Sequence, residues 1–181
     1  MKIRQSHHQD EQGIKEAHKY AFGKKEGPII ADLVSELLRD ETAKPILSLV
    51  FQENDNTLLG HILFTKVTIY TSPPNFSAQI LAPLAVIPSA MGKGLARKLI
   101  NKGLQLLKDQ GTDLVFVLGD PNFYSKFGFR PAKTYNLIPP YPLPDEYQDA
   151  WMLQELTKDA ARKCEGIVQC SKSLNNPDHW A

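Results

Sequence analysis

An apolar strand that runs into a two-glycine turn and then at once into a long amphipathic helix most restricts what this chain can become. Gln79 to Val86 is almost entirely apolar, as in a strand buried on both faces. After Ile87-Pro88-Ser89-Ala90 comes the turn Met91-Gly92-Lys93-Gly94. Leu95, Leu99, Ile100, Leu104 and Leu107 then recur at helical spacing, and Gly111 supplies a stop. A strand and a helix joined this tightly must bury their apolar faces against one another, which commits the chain to a layered α/β fold. Proline has no ladder donor, so Pro83 within the central strand predicts a bulge or a point where neighbouring strands separate.

The rest of the chain fits around that unit. Lys2 to Arg4 reads as a short edge strand. A helix from about Asp10 places Ile14, Ala17, His18 and Ala21 on one face until Gly23 and Gly27 interrupt it. A second helix is predicted from Pro28, with Ile30, Leu33, Val34, Leu37 and Leu38 as its stripe. Ile46 to Phe51 and Leu58 to Tyr70 form a hairpin around Asn54-Asp55-Asn56, followed by the loop Ser72-Pro73-Pro74-Asn75. Leu114 to Leu118 is a second buried strand, and Asn122 to Phe127 a short helix ended by Gly128. Further strands are expected near Phe129 to Ala132 and Trp151 to Leu156, on either side of the proline-rich Ile138 to Pro144. The segment after Thr157 carries no readable pattern. No repeat or linker divides residues 1–181, so a single domain is expected.

Composition excludes several classes. Lys and Arg number 21 against 20 Asp and Glu, a net charge of +1, whereas a protein that neutralises many phosphates needs a clear basic excess. No nucleic-acid partner is expected. No run approaches the roughly 18 apolar residues of a membrane span, and the polar start has no apolar leader, so a cytoplasmic protein without membrane contact is expected. Cys164 and Cys170 are read as two reduced thiols. Neither they nor His7, His8 and His18 have metal-ligand spacing, and no metal is expected.

Two segments carry the chemistry. At the glycine turn the backbone approaches a ligand closely, and the first N–H groups of the following helix, with its positive dipole end, form an anion site. Lys93 and Arg97 add charge there, and a phosphate or pyrophosphate is the expected guest. It is not a dinucleotide fingerprint, because Arg97 stands where a small residue is required. It is not the phosphate loop of nucleotide hydrolases either, since Gly-x-x-x-x-Gly-Lys-Ser/Thr is absent. The second segment, Gly119-Asp120-Pro121-Asn122-Phe123-Tyr124-Ser125-Lys126-Phe127-Gly128-Phe129-Arg130-Pro131-Ala132, follows the next buried strand. It should emerge at the same sheet edge, where open α/β sheets bind ligands. Tyr124 there either presents its hydroxyl to a bound group or serves packing alone.

Together these segments resemble the GNAT superfamily of N-acetyltransferases, and within it the small bacterial branch often labelled YhbS-like. Val86-Ile87-Pro88 before Met91-Gly92-Lys93-Gly94-Leu95-Ala96 is similar to the family's Val-x-Pro turn and Gln/Arg-x-x-Gly-x-Gly/Ala motif. Gly119 to Ala132 is similar to the branch's Gly-Asp-Pro-x-x-Tyr-x-x-Phe-Gly-Phe-x-Pro-Ala. Met91 departs from the usual Gln or Arg, but in the family it is the backbone amides that hold the phosphates, and methionine keeps its N–H. The resemblance implies a mixed, mostly antiparallel central sheet flanked by helices, with two central strands splayed apart. It implies acetyl-CoA as cosubstrate, its pyrophosphate on Met91, Gly92, Lys93, Gly94, Leu95, Ala96 and Arg97, and its pantetheine arm in the gap beside Leu84, Ala85 and Val86.

The implied reaction is direct transfer of acetyl to a primary amine of a small-molecule or peptide acceptor. A main-chain N–H of Leu84 to Val86 would face the oxyanion, and Tyr124 would be the acid assisting the leaving thiolate. Family members often carry a strand glutamate as base. Gln79 to Val86 contains no carboxylate, and Glu26, Asp120 and His61 are candidates without a distinguishing signal. A homodimer is common among relatives. The alternative is a non-catalytic acyl-CoA-binding sensor on the same fold, and a partner-binding domain without ligand is a third reading.

Overall fold

The computed structural model of this protein describes residues 1–180. Its centre is a mixed sheet of nine strands in which the long path runs β1 (Lys2–Gln5), β2 (Leu47–Gln52), β3 (Leu58–Ile69), β4 (Ala78–Val86), β5 (Leu114–Leu118), β8 (Trp151–Glu155) and β6 (Arg130–Pro131). Every neighbouring pair on that path is antiparallel except β4 and β5. That exception is forced by the connection: the helix α2 (Leu95–Asp109) carries the chain back to the starting edge before β5 begins, as a parallel crossover requires. β7 (Leu137–Ile138) and β9 (Gly166–Gln169) pair with each other, and β9 also adds to the far end of β3.

Alternation along the central strands divides the core into two layers. Leu81, Val115 and Val117 face α2, whose buried stripe Leu95, Leu99, Ile100, Leu104 and Leu107 is the one read from the sequence. Ile80, Leu114 and Phe116 face the other way, toward Leu33 and Leu37 of the first helix. The sheet is therefore apolar on both faces, which is why its central strands lack polar alternation. Gly103 lets α2 lie close to the sheet, since a Cβ there would stand 2.3 Å from the Phe64 ring.

The two predicted N-terminal helices are both present, following one another within α1 (Glu11–Arg39) with a non-helical break at Gly23, where φ is 80° and ψ −177°. Only glycine enters that conformation readily, so the break lies at Gly23 and the second arm resumes at once. Pro28 consequently lies inside that arm and does not start it. Gly27 sits at the elbow, where a Cβ would meet the Lys19 carbonyl oxygen at 2.3 Å. The predicted strand near Phe129–Ala132 shrinks to Arg130–Pro131, and the expected short helix to Pro121–Tyr124 (α3) followed by a tighter turn to Phe127.

The segment after Thr157, unreadable as sequence, is ordered by tertiary contacts. β9 pairs Ile69 with Val168, and Ser173 donates its N–H and hydroxyl to Asp40 at 3.0 and 2.8 Å. Trp180 packs at 70° against Trp151 with ring centres 5.6 Å apart and donates its indole N–H to the Leu174 carbonyl. Both cysteines are free, as expected. Among the described residues no helix is long and apolar enough to cross a membrane.

Candidate active site

The turn before α2 has the geometry of an anion cradle. Gly92 and Gly94 adopt φ of 78° and 80°, and a Cβ at either would meet nothing within 4 Å. Glycine is needed here for the backbone's hand, and the space around the turn is open. Gly94 is the N-cap residue, so no side chain caps the helix, and the first turn contains no acidic residue. Among the described residues, no protein acceptor engages the N–H groups of Gly92, Lys93, Gly94, Leu95, Ala96 or Arg97. A helix start normally satisfies such donors with a capping side chain. Left free, they converge with the positive dipole end on whatever anion binds. Met91 and Lys93 are exposed beside them, whereas the Leu95 side chain is buried and only its backbone faces the turn.

A second feature leads away from this turn. β4 and β5 pair from Ala78↔Leu114 to Leu81↔Val117 and no further, although β4 continues to Val86. On the other side β4 stays paired with β3, but Ile62 faces Leu84 while Phe64 faces Leu81, so Leu63 stands against both Ala82 and Pro83. Pro83 thus marks a bulge and also the start of the split. The Ile87 N–H donates to the Leu59 carbonyl on the β3 side at 2.9 Å. Donors alternate along a strand, so the N–H groups of Val86 and Leu84 face the split, and that of Ala85, paired with His61, faces β3. Of the three residues expected beside the arm, two therefore offer donors to the gap, and Ala85 does not.

Tyr124 stands at the end of that split. Its ring packs edge-on against Phe123 and Phe129, with centres 5.0 and 5.7 Å away. Gly119 accommodates it, since a Cβ there would lie 2.3 Å from the ring. Asp120 caps the short helix by accepting from the Asn122 N–H at 2.9 Å. Burial pushes the Tyr124 hydroxyl up to about 12, so it is a proton donor throughout the neutral range. Arg97 spans the two motifs: its guanidinium lies over the Phe127 ring at 5.5 Å. The Arg130 guanidinium is held by Glu155 and by the Tyr135 hydroxyl.

Beyond the split opens a cleft of about 460 Å³. Its floor is Leu81 to Leu84 with Val117 and Tyr124. One wall comes from α1 through Phe22, Glu26 and Ile30, and the other from the C-terminal segment through Leu174, Asp178 and Trp180. The sequence reading missed this second wall. Its one available signal was Trp180, a large aromatic in an otherwise polar stretch. The three candidate bases separate. Glu26 reaches the rim of the cleft, and Asp120 is occupied as a cap. His61 is fully buried with both ring nitrogens engaged, at 2.8 Å from His18 and 2.8 Å from the Ser48 hydroxyl. Burial holds His61 well below its usual value, with His18 adding to the effect, and burial takes His18 to about 3.

A family model described as an acetyltransferase (GNAT) domain matches residues 2–132. The chain is 43% identical over 164 residues to the Escherichia coli K12 protein YjhQ, an uncharacterized N-acetyltransferase, covering 90% of this chain and 87% of that one. It is 32% identical over 145 residues to the E. coli YhbS, likewise an uncharacterized N-acetyltransferase, covering 80% and 83%. Its fold matches the crystal structure of YhbS from E. coli in complex with CoA, with a TM-score of 0.85 and 30% identity over 97% of this chain and 92% of that one. It also matches a GNAT family acetyltransferase from Brucella melitensis in complex with acetyl-CoA, with a TM-score of 0.74 and 26% identity over 96% and 97% of the two chains.

Proposed function

This chain belongs to the GNAT family of acetyltransferases, and on that premise we propose that it transfers the acetyl group of acetyl-CoA directly to a primary amine held in the cleft between α1 and the C-terminal segment. The observation that carries the proposal is the edge of β4 freed beyond Leu81, which with Tyr124 lines the cleft and, past Val86, leads through the glycine turn into the uncapped start of α2, one path along the chain. Support for a coenzyme that occupies the whole path comes from the CoA and acetyl-CoA complexes of the structural relatives.

In this reading the coenzyme's diphosphate accepts from the free N–H groups of Gly92 to Arg97, with Lys93 and Arg97 adding charge. The arm lies along the freed edge of β4, where the Leu84 and Val86 N–H groups replace the missing β5 partners. One of them faces the thioester carbonyl oxygen as negative charge develops there. The amine nitrogen bonds to the carbonyl carbon, and the carbon–sulfur bond breaks. The nitrogen's surplus proton passes to solvent, and the sulfur takes the Tyr124 proton, which solvent then restores. Burial keeps the proton on the hydroxyl and so available to the sulfur, at the cost of a weaker acid than free tyrosine, and general acid assistance is worth roughly 10²–10⁴-fold.

Tyr124→Phe tests the assignment, because it keeps the ring packing and removes only the hydroxyl. With thiol release from acetyl-CoA as the readout, kcat should fall at least about 10²-fold while coenzyme affinity holds. Unchanged kcat would take Tyr124 out of the mechanism. Coenzyme binding without turnover of any amine, in the unsubstituted protein, would favour a sensor of acyl-CoA.

A further inference from the structure

The same cleft carries information about the acceptor. We infer that the acceptor is a compact primary amine on an apolar body, such as an alkylamine or arylalkylamine, and not an aminosugar or a folded protein surface. This rests on the reading that the cleft holds the amine, and it commits that site to one substrate class.

Three observations point there. First, the walls are apolar: Phe22, Ile30 and Leu33 from α1 face Leu174 and Trp180 across the floor of β4. A polyhydroxylated amine would have to strip water from several hydroxyls against these walls without new partners, which disfavours it strongly. Second, the volume of about 460 Å³ lies near the lower end of small-molecule sites, roughly 300–1,000 Å³, and the acetyl end of the coenzyme must share it. A small body fits, and a protein surface does not. Third, the charged groups at the cleft are of one sign. Glu26 and Asp178 are exposed at its rim, and among the described residues no lysine or arginine lines it. His179 and Tyr124 are the other titratable groups that face it.

These features divide the task. The acidic rim attracts the ammonium form that dominates in water. Farther in, the apolar walls disfavour a bare cation, so the amine sheds its proton as it enters and arrives as the free base that attack requires. A cleft of this character makes a dedicated strand carboxylate unnecessary, which accounts for Gln79 to Val86 having none.

A homologous series of straight-chain alkylamines from propyl to hexyl tests this, with glucosamine and a tripeptide bearing a free N-terminus as contrasts. Burial of each added methylene should raise kcat/KM by about fourfold until the cleft is full. Glucosamine and the tripeptide should fall at least tenfold below hexylamine. Ile30→Phe, which narrows one wall, should bring the plateau at a shorter chain while the rise in melting temperature with CoA is kept. A flat or falling series, or a preference for glucosamine or the tripeptide, overturns the inference. If no amine is acetylated, the melting temperature in the presence of CoA decides. A rise that grows with alkyl length supports the apolar acceptor cleft while the transferase reading fails, and no graded rise overturns the cleft assignment itself.

Discussion

Lowering the pH from 7 to 5, with no ligand present, perturbs one small part of this molecule. His18 and His61 are both fully buried, 2.8 Å apart, and burial keeps both neutral in the folded state. In the unfolded chain each imidazole titrates near its ordinary value of about 6.5. A group whose folded pKa is depressed contributes stability that is present above the unfolded value and is lost as pH falls through the window below it. Here His18 sits at about 3 and His61 well below its usual value. Between pH 7 and 5 only the unfolded state takes up these protons, so the loss depends on the unfolded value alone. It amounts to about 2 kcal/mol per imidazole, or about 4 kcal/mol for the pair, against a total stability of roughly 5–15 kcal/mol for a typical domain. Asp10, Glu11 and Asp40 are held below the usual carboxylate range, and their contributions are lost only nearer pH 4 and below. The chosen window therefore isolates the histidines. Urea unfolding followed by the fluorescence of buried Trp151 and Trp180 reads the free energy at each pH. His61→Gln should roughly halve the pH dependence, whatever it does to stability at pH 7. A change below about 1 kcal/mol across the window in the unsubstituted protein would refute the reasoning, since both imidazoles would then take up protons in the folded state.

Other positions give outcomes of equal definition. Gly94→Ala places a side chain at φ of 80° with open space around it, so it should cost about 1–2 kcal/mol through backbone strain alone. The same change should shrink the melting-temperature rise produced by CoA, because the N–H row tilts; an unaltered rise argues against the cradle. Gly103→Ala forces a methyl to 2.3 Å from the Phe64 ring and should cost about 1–3 kcal/mol in urea unfolding without touching coenzyme affinity. Burial alone would raise the Asp40 carboxyl, but hydrogen bonds from Thr42 and Ser173 outweigh it and hold the group at about 2. Asp40→Ala should loosen the C-terminal wall and raise the KM for the amine several-fold while the affinity for CoA holds, as calorimetry with each ligand would show.

The divide between what this sequence determines by itself and what the folded structure decides follows the range of the forces involved. The α2 stripe, the apolar strands, the glycine turn and the pairing of Tyr124 with Gly128-Phe129 are all written in neighbouring residues. They are set by periodicity and by a backbone conformation that only glycine adopts readily, and both act over a few positions. Pro83 announced a disturbance in β4 for the same local reason. That the disturbance becomes a usable gap depends on where β5 stops, and Val117 is distant in sequence. The histidine pair joins α1 to β3, and no spacing rule relates His18 to His61. The cleft wall at Leu174, Asp178 and Trp180 is held by Asp40 and Trp151 from elsewhere in the fold. Its own stretch has no periodicity, because such a segment is ordered by the surface it packs on and not by its own hydrogen bonds. The proposed coenzyme cradle is therefore a local property of this chain, and the proposed acceptor cleft a property of the assembled tertiary structure.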